Sequence, residues 1–443
     1  MHIVIIGNGI AGVTAARHIR KKSDFQITII SSESPYFFSR TALMYVYMGH
    51  MKFEHTQPYE DHFWEKNRIQ LKQGLVTELI SKDKKLKLED GSEVSFDKLI
   101  LATGSKPNFF GWKGQDLKGV QGLYAKQDLE LMEQNTKGIK KALIIGGGLI
   151  GIEMAEMLLS RGIEVHFLIR EKNFWGSVLP KEESNLIMEH LKKHHGLVMH
   201  YEEELDEVLG DQNGRVEALM TKKGTRIEGQ FLGVTVGVRA NIEFVKSSGI
   251  EVNRGVLVND FLETSIPDCY AIGDCSELRA PQPGRRAIEQ VWYTGRMMGE
   301  TVARTICETP TEYRPGHWFN SAKFFDIEYQ TYGIVPAKLE DHQLNFVWQH
   351  DKEELLIHVV FDGETKLFQG INTFGIRLRH ELFDSWLHEK KDVFFVLENL
   401  ASANFDPEFY RTYEQAVLAS FNHEFNTSLT PKKKLWWRKL MTQ

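Results

Sequence analysis

Two glycine-rich segments of the same pattern, 139 positions apart, constrain the fold of this chain more than any other feature. The first is HIVIIGNGIAGVTAARHI, with Gly7, Gly9 and Gly12, and the second is KALIIGGGLIGIEMAEML, with Gly146, Gly148 and Gly151. Each follows an apolar run that predicts a buried parallel strand, and each continues into a helical pattern. In such a turn the first glycine permits a tight bend, the second lets the backbone approach a pyrophosphate, and the third lets the helix pack on the strand. The pair therefore predicts two dinucleotides held in one chain, with electron transfer between them.

The composition excludes several classes of protein. The chain has 443 residues, 42% hydrophobic and 26% charged, as in a globular protein of about three domains. A net charge of −6 gives no sign of the basic surface that binds a nucleic acid. Three cysteines, Cys269, Cys275 and Cys307, cannot build a disulfide scaffold and favour a reducing compartment. No apolar run reaches the roughly 18 residues of a membrane span, and MHIVIIG predicts a first strand rather than a signal peptide. We therefore expect a cytoplasmic enzyme.

The pattern of the remaining chain predicts further units. FQITII is a second strand, and Glu33, 21 positions after Gly12, could bind a ribose hydroxyl. Residues 202–228 alternate as a β-meander, and a long helix is expected from about residue 286 to 306. From about Tyr313 the chain predicts a separate α+β domain, with a hairpin turn at Asp362–Gly363 and two amphipathic helices in RHELFDSWLHEKK and DPEFYRTYEQAVLASFNHEF.

Five motifs in order resemble a known superfamily. They are the first glycine motif, LATG, the second glycine motif, TVGVRAN and YAIGDC. This order resembles the FAD-dependent pyridine nucleotide–disulfide oxidoreductases over about residues 1–312. The resemblance implies an α/β fold with two Rossmann-like dinucleotide-binding domains: a split FAD domain (1–111 and 234–312) and an inserted NAD(P)H domain (112–233). A C-terminal α+β domain (313–443) follows. The implied cofactors are FAD and NAD(P)H.

The resemblance also assigns roles to residues. Gly7, Gly9 and Gly12 would cradle FAD phosphates, and Asp274 would bind the ribitol, although a helix-cap or turn acid remains an alternative for Asp274. Glu153 would lie near the flavin–nicotinamide junction. The candidate cofactor-binding residues are Gly7, Gly9, Ile10, Ala11, Gly12, Ser31, Glu33, Ser39, Arg40, Val76, Ala102, Thr103, Gly104, Gly146, Gly148, Leu149, Ile150, Gly151, Glu153, Arg170, Gly237, Gly273, Asp274, Glu289, Gln290 and Val291. We assign no metal ligands.

The N-terminal third lacks the redox cysteines of the disulfide reductases, because Cys269 is the first cysteine of the chain. Ser39 and Arg40 stand in that neighbourhood, and a serine cannot form a disulfide. The segment YFFSRTALMY instead resembles the YSRxxL signature of cysteine-free members, such as rubredoxin and ferredoxin reductases, the flavin part of NADH-dependent nitrite reductase and apoptosis-inducing-factor-like proteins. In those proteins the arginine lies near the FAD pyrophosphate. A lysine of several relatives corresponds here to Tyr45, so Tyr45 and Glu153 are the catalytic candidates.

The preferred nicotinamide cofactor stays open. An acid after the second strand of the inserted domain favours NADH, and an arginine favours NADPH. Here that strand is followed by Arg170 and then Glu171. We favour NADH by family and leave NADPH open.

The resulting hypothesis is a FAD-dependent NAD(P)H oxidoreductase that passes electrons to a one-electron acceptor, such as a rubredoxin- or ferredoxin-type protein. The alternative is an interaction or membrane-surface protein whose flavin state controls binding, because the tail PKKKLWWRKLMTQ is basic and aromatic. We favour a solvated tail, since the segment is short. The C-terminal region of the superfamily often covers the flavin or forms a dimer contact, which leaves a homodimer open.

Overall fold

A computed structural model describes residues 1–405 and 411–432. The chain divides into two compact units. Unit 1 contains residues 1–170 and 196–315, and unit 2 contains residues 171–195 and the chain from residue 316 onward. Residues 171–195 thus pack with the C-terminal region, although the sequence placed them in the inserted domain. The division of the first 312 residues into a FAD domain and an NAD(P)H domain stays a prediction.

Helices and strands follow one another along the described chain as follows. The helices are α1 (Ile10–Lys22), α2 (Leu43–Tyr47), α3 (His62–Lys66), α4 (Lys126–Asn135), α5 (Leu149–Ser160), α6 (Lys181–Leu191), α7 (Trp292–Cys307), α8 (His380–His388), α9 (Val393–Glu398), α10 (Leu400–Ala403) and α11 (Glu414–Phe425). The strands are β1 (His2–Ile6), β2 (Gln26–Ser31), β3 (Ile69–Gln73), β4 (Val76–Ile80), β5 (Lys85–Leu88), β6 (Glu93–Ser95), β7 (Lys98–Leu101), β8 (Ser105–Pro107), β9 (Val120–Gln121), β10 (Lys141–Ile145), β11 (Glu164–Ile169), β12 (Leu197–Tyr201), β13 (Leu205–Gly210), β14 (Val216–Thr221), β15 (Arg226–Glu228), β16 (Leu232–Val234), β17 (Val238–Ala240), β18 (Val256–Val258), β19 (Cys269–Ala271), β20 (Ser276–Leu278), β21 (Phe319–Phe324), β22 (Ile327–Gly333), β23 (Gln343–Gln349), β24 (Leu356–Asp362) and β25 (Phe368–Phe374).

Two parallel sheets of unit 1 have the same order over four of their five strands. The first has the strand order β19-β7-β1-β2-β3, and the second has the order β12-β11-β10-β16-β9. In each sheet the strand before a glycine motif, β1 or β10, lies at the centre. Both central strands are buried along nearly their whole length because helices cover parallel sheets on both faces. The prediction of two Rossmann-like folds is confirmed.

Smaller antiparallel sheets accompany the two parallel sheets. The β-meander expected at residues 202–228 forms the sheet β13-β14-β15, and a second meander forms β4-β5-β6. A two-stranded ribbon pairs β8 with β17. The strands of this ribbon follow LATG and lie within TVGVRAN, so the two similar sequence segments pair with each other.

Glycines allow a close contact between α1 and α7. A Cβ atom on Gly299 of α7 would lie 2.6 Å from the backbone oxygen of Ala11 and 2.9 Å from Cβ of Thr14. A Cβ atom on Gly295, one turn earlier, would lie 3.5 Å from Ile10 Cγ2, which is an ordinary van der Waals distance. The tight part of this helix pair is therefore at Gly299.

Unit 2 is an α+β unit built on one antiparallel sheet, with the strand order β21-β22-β25-β24-β23. The hairpin predicted at Asp362–Gly363 joins β24 to β25. One face of the sheet contributes Phe346 and Phe361 to an aromatic core shared with Phe383 of α8 and Phe421 of α11. The opposite face packs against residues 171–195, where the rings of Phe174 and Phe324 lie 5.9 Å apart.

The described helices include none that is long and apolar enough to cross a bilayer. The tail predicted as basic and aromatic lies almost entirely in residues 433–443, outside the described residues, so the membrane-surface alternative stays a prediction.

We predict that the two glycines of α7 respond differently to substitution. Gly299→Ala should lower the free energy of unfolding by about 1–3 kcal/mol, because its methyl group would push α7 away from the backbone of α1. Gly295→Ala is the matched control on the same helix. It should stay within about 1 kcal/mol of the unsubstituted protein, since alanine also favours the helix. Urea unfolding followed by tryptophan fluorescence, with FAD in excess, measures both. Equal effects would contradict the assigned contact.

Candidate functional site

The carboxyl-terminal edge of the first parallel sheet gathers several candidate residues. Gly7 follows β1, Ser31 ends β2, Ala102 follows β7 and Gly273 follows β19. Because these strands are parallel neighbours, the segments meet at one edge of the sheet. Ser31 Oγ donates a hydrogen bond of 2.9 Å to Oδ1 of Asn8, which ties the end of β2 to the first glycine loop.

The first glycine loop leaves the N-terminus of α1 open. Gly7 has a φ of +113°, and a Cβ atom there would collide with the backbone oxygen of Ala102. A Cβ atom on Gly12 would collide with the backbone oxygen of Gly7. Gly9 is the N-cap of α1 and has no side-chain cap, and nothing lies within 4 Å of where its Cβ would be. The loop therefore presents helix N–H groups to open space, as an anion site requires.

Glu33 and Arg40 form a bidentate ion pair. Arg40 donates from its two terminal nitrogens to the two carboxylate oxygens of Glu33, at 2.7 and 2.6 Å. The backbone N–H of Lys126 also donates to Glu33, at 2.9 Å. Burial acts to lower the pKa of Arg40, but the hydrogen bonds and charge of Glu33 raise it above its ordinary value. The guanidinium is thus held as a fixed cation.

Tyr124 connects Arg40 to Asp274. The guanidinium of Arg40 lies 4.4 Å from the centre of the Tyr124 ring and donates to the Tyr124 backbone oxygen at 2.6 Å. The Tyr124 hydroxyl donates to Asp274 Oδ2 at 3.1 Å and accepts from the backbone N–H of Ser105 at 3.0 Å. Burial raises the pKa of Asp274, while the hydrogen bonds from Tyr124 and Ser105 oppose that rise.

The start of α7 reaches the same network. Gln290 Nε2 donates to Ser105 Oγ at 2.8 Å, and Ser105 Oγ donates to Asp274 Oδ2 at 3.2 Å. Glu289 is buried and accepts two hydrogen bonds of 2.6 Å from Arg285. Val291 is the N-cap of α7. The helix begins at Trp292 rather than near residue 286, because the backbone of Val291 is extended and the backbone oxygen of Ala287 accepts from the N–H of Leu278 instead of from a helical N–H.

The second glycine loop repeats the geometry of the first. A Cβ atom on Gly146, whose φ is +107°, would lie 2.5 Å from the backbone oxygen of Thr235. A Cβ atom on Gly151 would lie 2.5 Å from the backbone oxygen of Gly146. Gly148 is the uncapped N-cap of α5, with nothing within 4 Å of its would-be Cβ, and Leu149 and Ile150 begin the helix. Arg170 follows β11 at the same edge of the second sheet.

The two catalytic candidates lie on helices that pack against each other. Tyr45 belongs to α2 and Glu153 to α5, and these helices are in contact. Arg161, just past α5, places its guanidinium 3.6 Å from the centre of the Tyr47 ring and donates to the Tyr47 backbone oxygen at 3.0 Å. Tyr47 OH lies 2.6 Å from Thr136 Oγ1. These contacts fix the short helix α2 beside the second glycine loop's helix.

The remaining candidates contribute no side-chain bond to the Arg40–Tyr124–Asp274 network, although Gly104 lies against it. Ser39 Oγ lies 3.3 Å from Thr41 Oγ1, and Thr103 Oγ1 donates to the backbone oxygen of Asn241 at 2.7 Å. Val76 is buried at the start of β4, and Gly237, with a φ of +89°, precedes β17. Gly104 has a φ of +67°, and a Cβ atom there would lie 2.7 Å from the Tyr124 hydroxyl.

Comparison with known proteins decides the family. Residues 1–299 match the family model described as pyridine nucleotide-disulphide oxidoreductase. The chain belongs to this family. It is 36% identical over 280 residues to a nitrite reductase [NAD(P)H] of Bacillus subtilis (strain 168), covering 62% of this chain but only 34% of that protein. It is 29% identical over 325 residues to a rubredoxin-NAD(+) reductase of Ectopseudomonas oleovorans, covering 72% of this chain and 83% of that one.

A solved structure agrees in fold. An NAD-dependent persulfide reductase from A. fulgidus matches with a TM-score of 0.84 at 21% identity, over 96% of this chain and 83% of that one. FAD and NAD(P)H are the cofactors of this family of oxidoreductases. The chain is related to rubredoxin reductases, and it spans about a third of the length of the nitrite reductase that it matches.

Both glycine loops fit a dinucleotide. Each has an uncapped helix N-terminus with open space at the central glycine, as a pyrophosphate requires. A fixed cation, Arg40, and a partly exposed acid, Asp274, are joined through Tyr124 in the first site only. The assignment of single residues to either cofactor stays a prediction.

Sequence reasoning missed Tyr124 and Ser105. Ser105 follows the LATG motif directly, so its position after a buried strand was a usable signal. Tyr124 lies in a stretch, residues 111–140, that carries no motif, and only the tertiary structure brings it to Asp274.

We predict that the Glu33–Arg40 pair stabilises the first site. Glu33→Gln removes the charge that faces Arg40, so the free energy of unfolding should fall by about 1–3 kcal/mol and FAD should be lost more readily on gel filtration. The control is Glu78→Gln, whose partner Lys87 is half exposed and whose loss should change stability by less than about 1 kcal/mol. Unchanged stability and unchanged FAD content in Glu33→Gln would contradict the prediction.

Proposed function

We propose that this protein transfers electrons from NAD(P)H to a small one-electron carrier protein, without a redox-active cysteine pair. When bound, the flavin accepts two electrons from the reduced nicotinamide and can release them one at a time. The single observation that carries the proposal is the position and state of the three cysteines. A thiol relay needs a reactive thiolate beside the flavin site, and the chain offers none in its first 268 residues.

The three cysteines are free thiols in surroundings that disfavour the thiolate form. None of the three is in a disulfide. Cys269 and Cys275 are buried, and burial raises the pKa of Cys269 to about 11 and also raises that of Cys275. Burial raises the pKa of Cys307 as well. Since the thiolate is the reactive form, these environments suit packing rather than redox chemistry.

The residues at the first site have roles that follow from their contacts. We assign Arg40 to the FAD pyrophosphate, because a cation fixed by Glu33 and Tyr124 needs no reorganisation to meet an anion. We assign Asp274 to the ribitol, because one of its oxygens already accepts from two hydroxyl groups in a half-buried site. Gln290 places the positive end of α7 beside this acid, where it would stabilise negative charge on the reduced cofactor.

The second site would hold the nicotinamide dinucleotide at Gly146, Gly148 and Gly151. Glu153 follows on the same helix, and α2, which carries Tyr45, packs against it. We retain NADH as the favoured donor, with Arg170 as the residue that leaves NADPH open. A cytoplasmic location and a homodimer stay predictions.

The carrier is proposed from the relatives. One relative is named a rubredoxin-NAD(+) reductase, and its match with this chain covers 83% of its length. The match to the nitrite reductase [NAD(P)H] covers only 34% of that protein, so its name is the weaker guide to the acceptor of this chain. A separate electron carrier is therefore the first acceptor to test.

The decisive experiment compares acceptors. With saturating NADH, the FAD-loaded protein should reduce a rubredoxin or a [2Fe–2S] ferredoxin with a kcat/KM at least about tenfold above that for coenzyme A disulfide or polysulfide, a difference of about 1.4 kcal/mol in transition-state stabilisation. Stopped-flow reduction of the flavin by NADH and NADPH, run in parallel, tests the donor. Faster turnover with a disulfide than with either carrier would contradict the proposal.

A second prediction concerns the thiols. At pH 8 iodoacetamide should label Cys307 of the native protein before Cys269 or Cys275, because labelling needs the thiolate and Cys269 ionises only as the pH approaches about 11. Prior reduction with NADH should leave the pattern unchanged, as read by peptide mass spectrometry. Protein unfolded in urea, in which all three should react, is the control. Labelling of Cys269 or Cys275 that appears only after NADH treatment would point to a redox thiol.

A further inference from the structure

A cluster of two histidines and an aspartate in unit 2 plays no part in the proposed function. His190 lies in the last turn of α6, and His194 follows in the turn beyond it, where its backbone N–H donates to the oxygen of Leu191 at 3.3 Å. Asp326 lies in the two-residue loop between β21 and β22. The three ligand atoms lie within 4.8 Å of one another.

The distances suit a shared metal ion. His190 Nε2 lies 2.8 Å from Asp326 Oδ1 and 3.1 Å from His194 Nε2, and His194 Nε2 lies 3.9 Å from Asp326 Oδ1. A tetrahedral zinc ion with bonds of about 2.0–2.1 Å needs neighbouring ligand atoms about 3.3 Å apart. The three distances lie on either side of that value, so small shifts would bring all three atoms to one ion.

Both ring nitrogens of the buried His190 face carboxylates. Nδ1 lies 2.8 Å from Glu354 Oε2, and Nε2 lies 2.8 Å from Asp326 Oδ1. His194 Nε2 faces the same nitrogen of His190. A divalent cation between these atoms would be bound by His190, His194 and Asp326 together.

The groups around His190 are of the kind that commonly surround a metal-binding histidine. A histidine that binds a metal through one nitrogen commonly donates from the other to a carboxylate, which fixes the ring orientation. Glu354 fulfils this role for His190, and Lys193 holds Glu354 in turn, at 2.6 Å. The ring of His194 stacks on Phe325 at 4.1 Å. Phe325 has a φ of +56°, an unusual conformation for an aromatic residue, and it directly precedes Asp326.

We propose that His190, His194 and Asp326 bind one Zn²⁺ ion, with Glu354 orienting His190. Two imidazole nitrogens and one carboxylate oxygen are ligands that Zn²⁺ accepts readily, and the exposed side chain of Asp326 leaves a fourth position for water. The ion would join α6 to the β21–β22 hairpin within unit 2. The HxxxH spacing of His190 and His194 is a sequence signal for this site, although the sequence analysis assigned no metal ligands.

The test measures zinc directly. The tag-free, full-length, FAD-loaded protein is dialysed against buffered Zn²⁺, and bound metal is counted by inductively coupled plasma mass spectrometry. We expect one Zn²⁺ per chain. Asp326 and His194 are both less buried than His190, so their substitution is less disruptive to folding. Asp326→Asn and His194→Gln should each weaken zinc binding by about 100-fold or more. Glu354→Gln should weaken it by about tenfold.

The matched control is a second histidine pair. His166 Nδ1 and His200 Nε2 lie 2.9 Å apart in unit 1, but the neighbouring carboxylate, Glu164, bonds to the other nitrogen of His166. His200→Gln should therefore leave zinc binding unchanged. Circular dichroism confirms that each variant is folded. Absence of zinc from the unsubstituted protein, binding that survives Asp326→Asn, or binding lost in His200→Gln would each overturn the proposal, and none of these results depends on the electron acceptor.

Discussion

The approach of backbone to backbone at the two glycine loops is the constraint on which unit 1 depends. A Cβ atom on Gly7 or Gly12 would collide with a carbonyl oxygen. A Cβ atom on Gly146 or Gly151 would likewise lie 2.5 Å from a carbonyl oxygen. These contacts press α1 and α5 against their strands, and they leave Gly9 and Gly148 as uncapped N-caps beside open space. The same glycines therefore permit both the close packing of helix on strand and the open site for a ligand.

Local chemistry explains which parts of the site could be predicted from the sequence. A glycine loop is defined within six residues, so the place of Gly7 followed from pattern alone, whereas Ala102 and Gly273, which the parallel strands bring to the same edge, were candidates through the family resemblance. The Glu33–Arg40 pair did not follow, because each residue resembled a separate ligand of the cofactor and nothing local showed that they bind each other. Tyr124 and residues 171–195 were missed for a related reason. Periodicity shows that a face is buried, but it does not show against what.

The network around Asp274 bears on how electrons can leave the flavin. Arg40 and Tyr124 fill the neighbourhood of Asp274 with one fixed cation and an aromatic ring. Neither group can take up or release an electron pair by forming a sulfur–sulfur bond. A site built in this way can hold and polarise a cofactor, but it adds no relay of its own. This arrangement agrees with the proposed direct transfer of electrons to an external carrier.

Buried polar residues fix the register of α6 in unit 2. Glu183 is fully buried, accepts from Asn372 Nδ2 at 2.9 Å and lies 2.9 Å from His358 Nδ1. Burial raises the pKa of Glu183, and His358 opposes that rise. His190, seven positions later on the same helix face, meets Asp326 and Glu354. A slip of α6 by one residue would turn the helix by about 100° and leave both groups buried without partners, at a cost of several kcal/mol. The contacts that orient His190 in the proposed zinc site thus also hold the helix in one position.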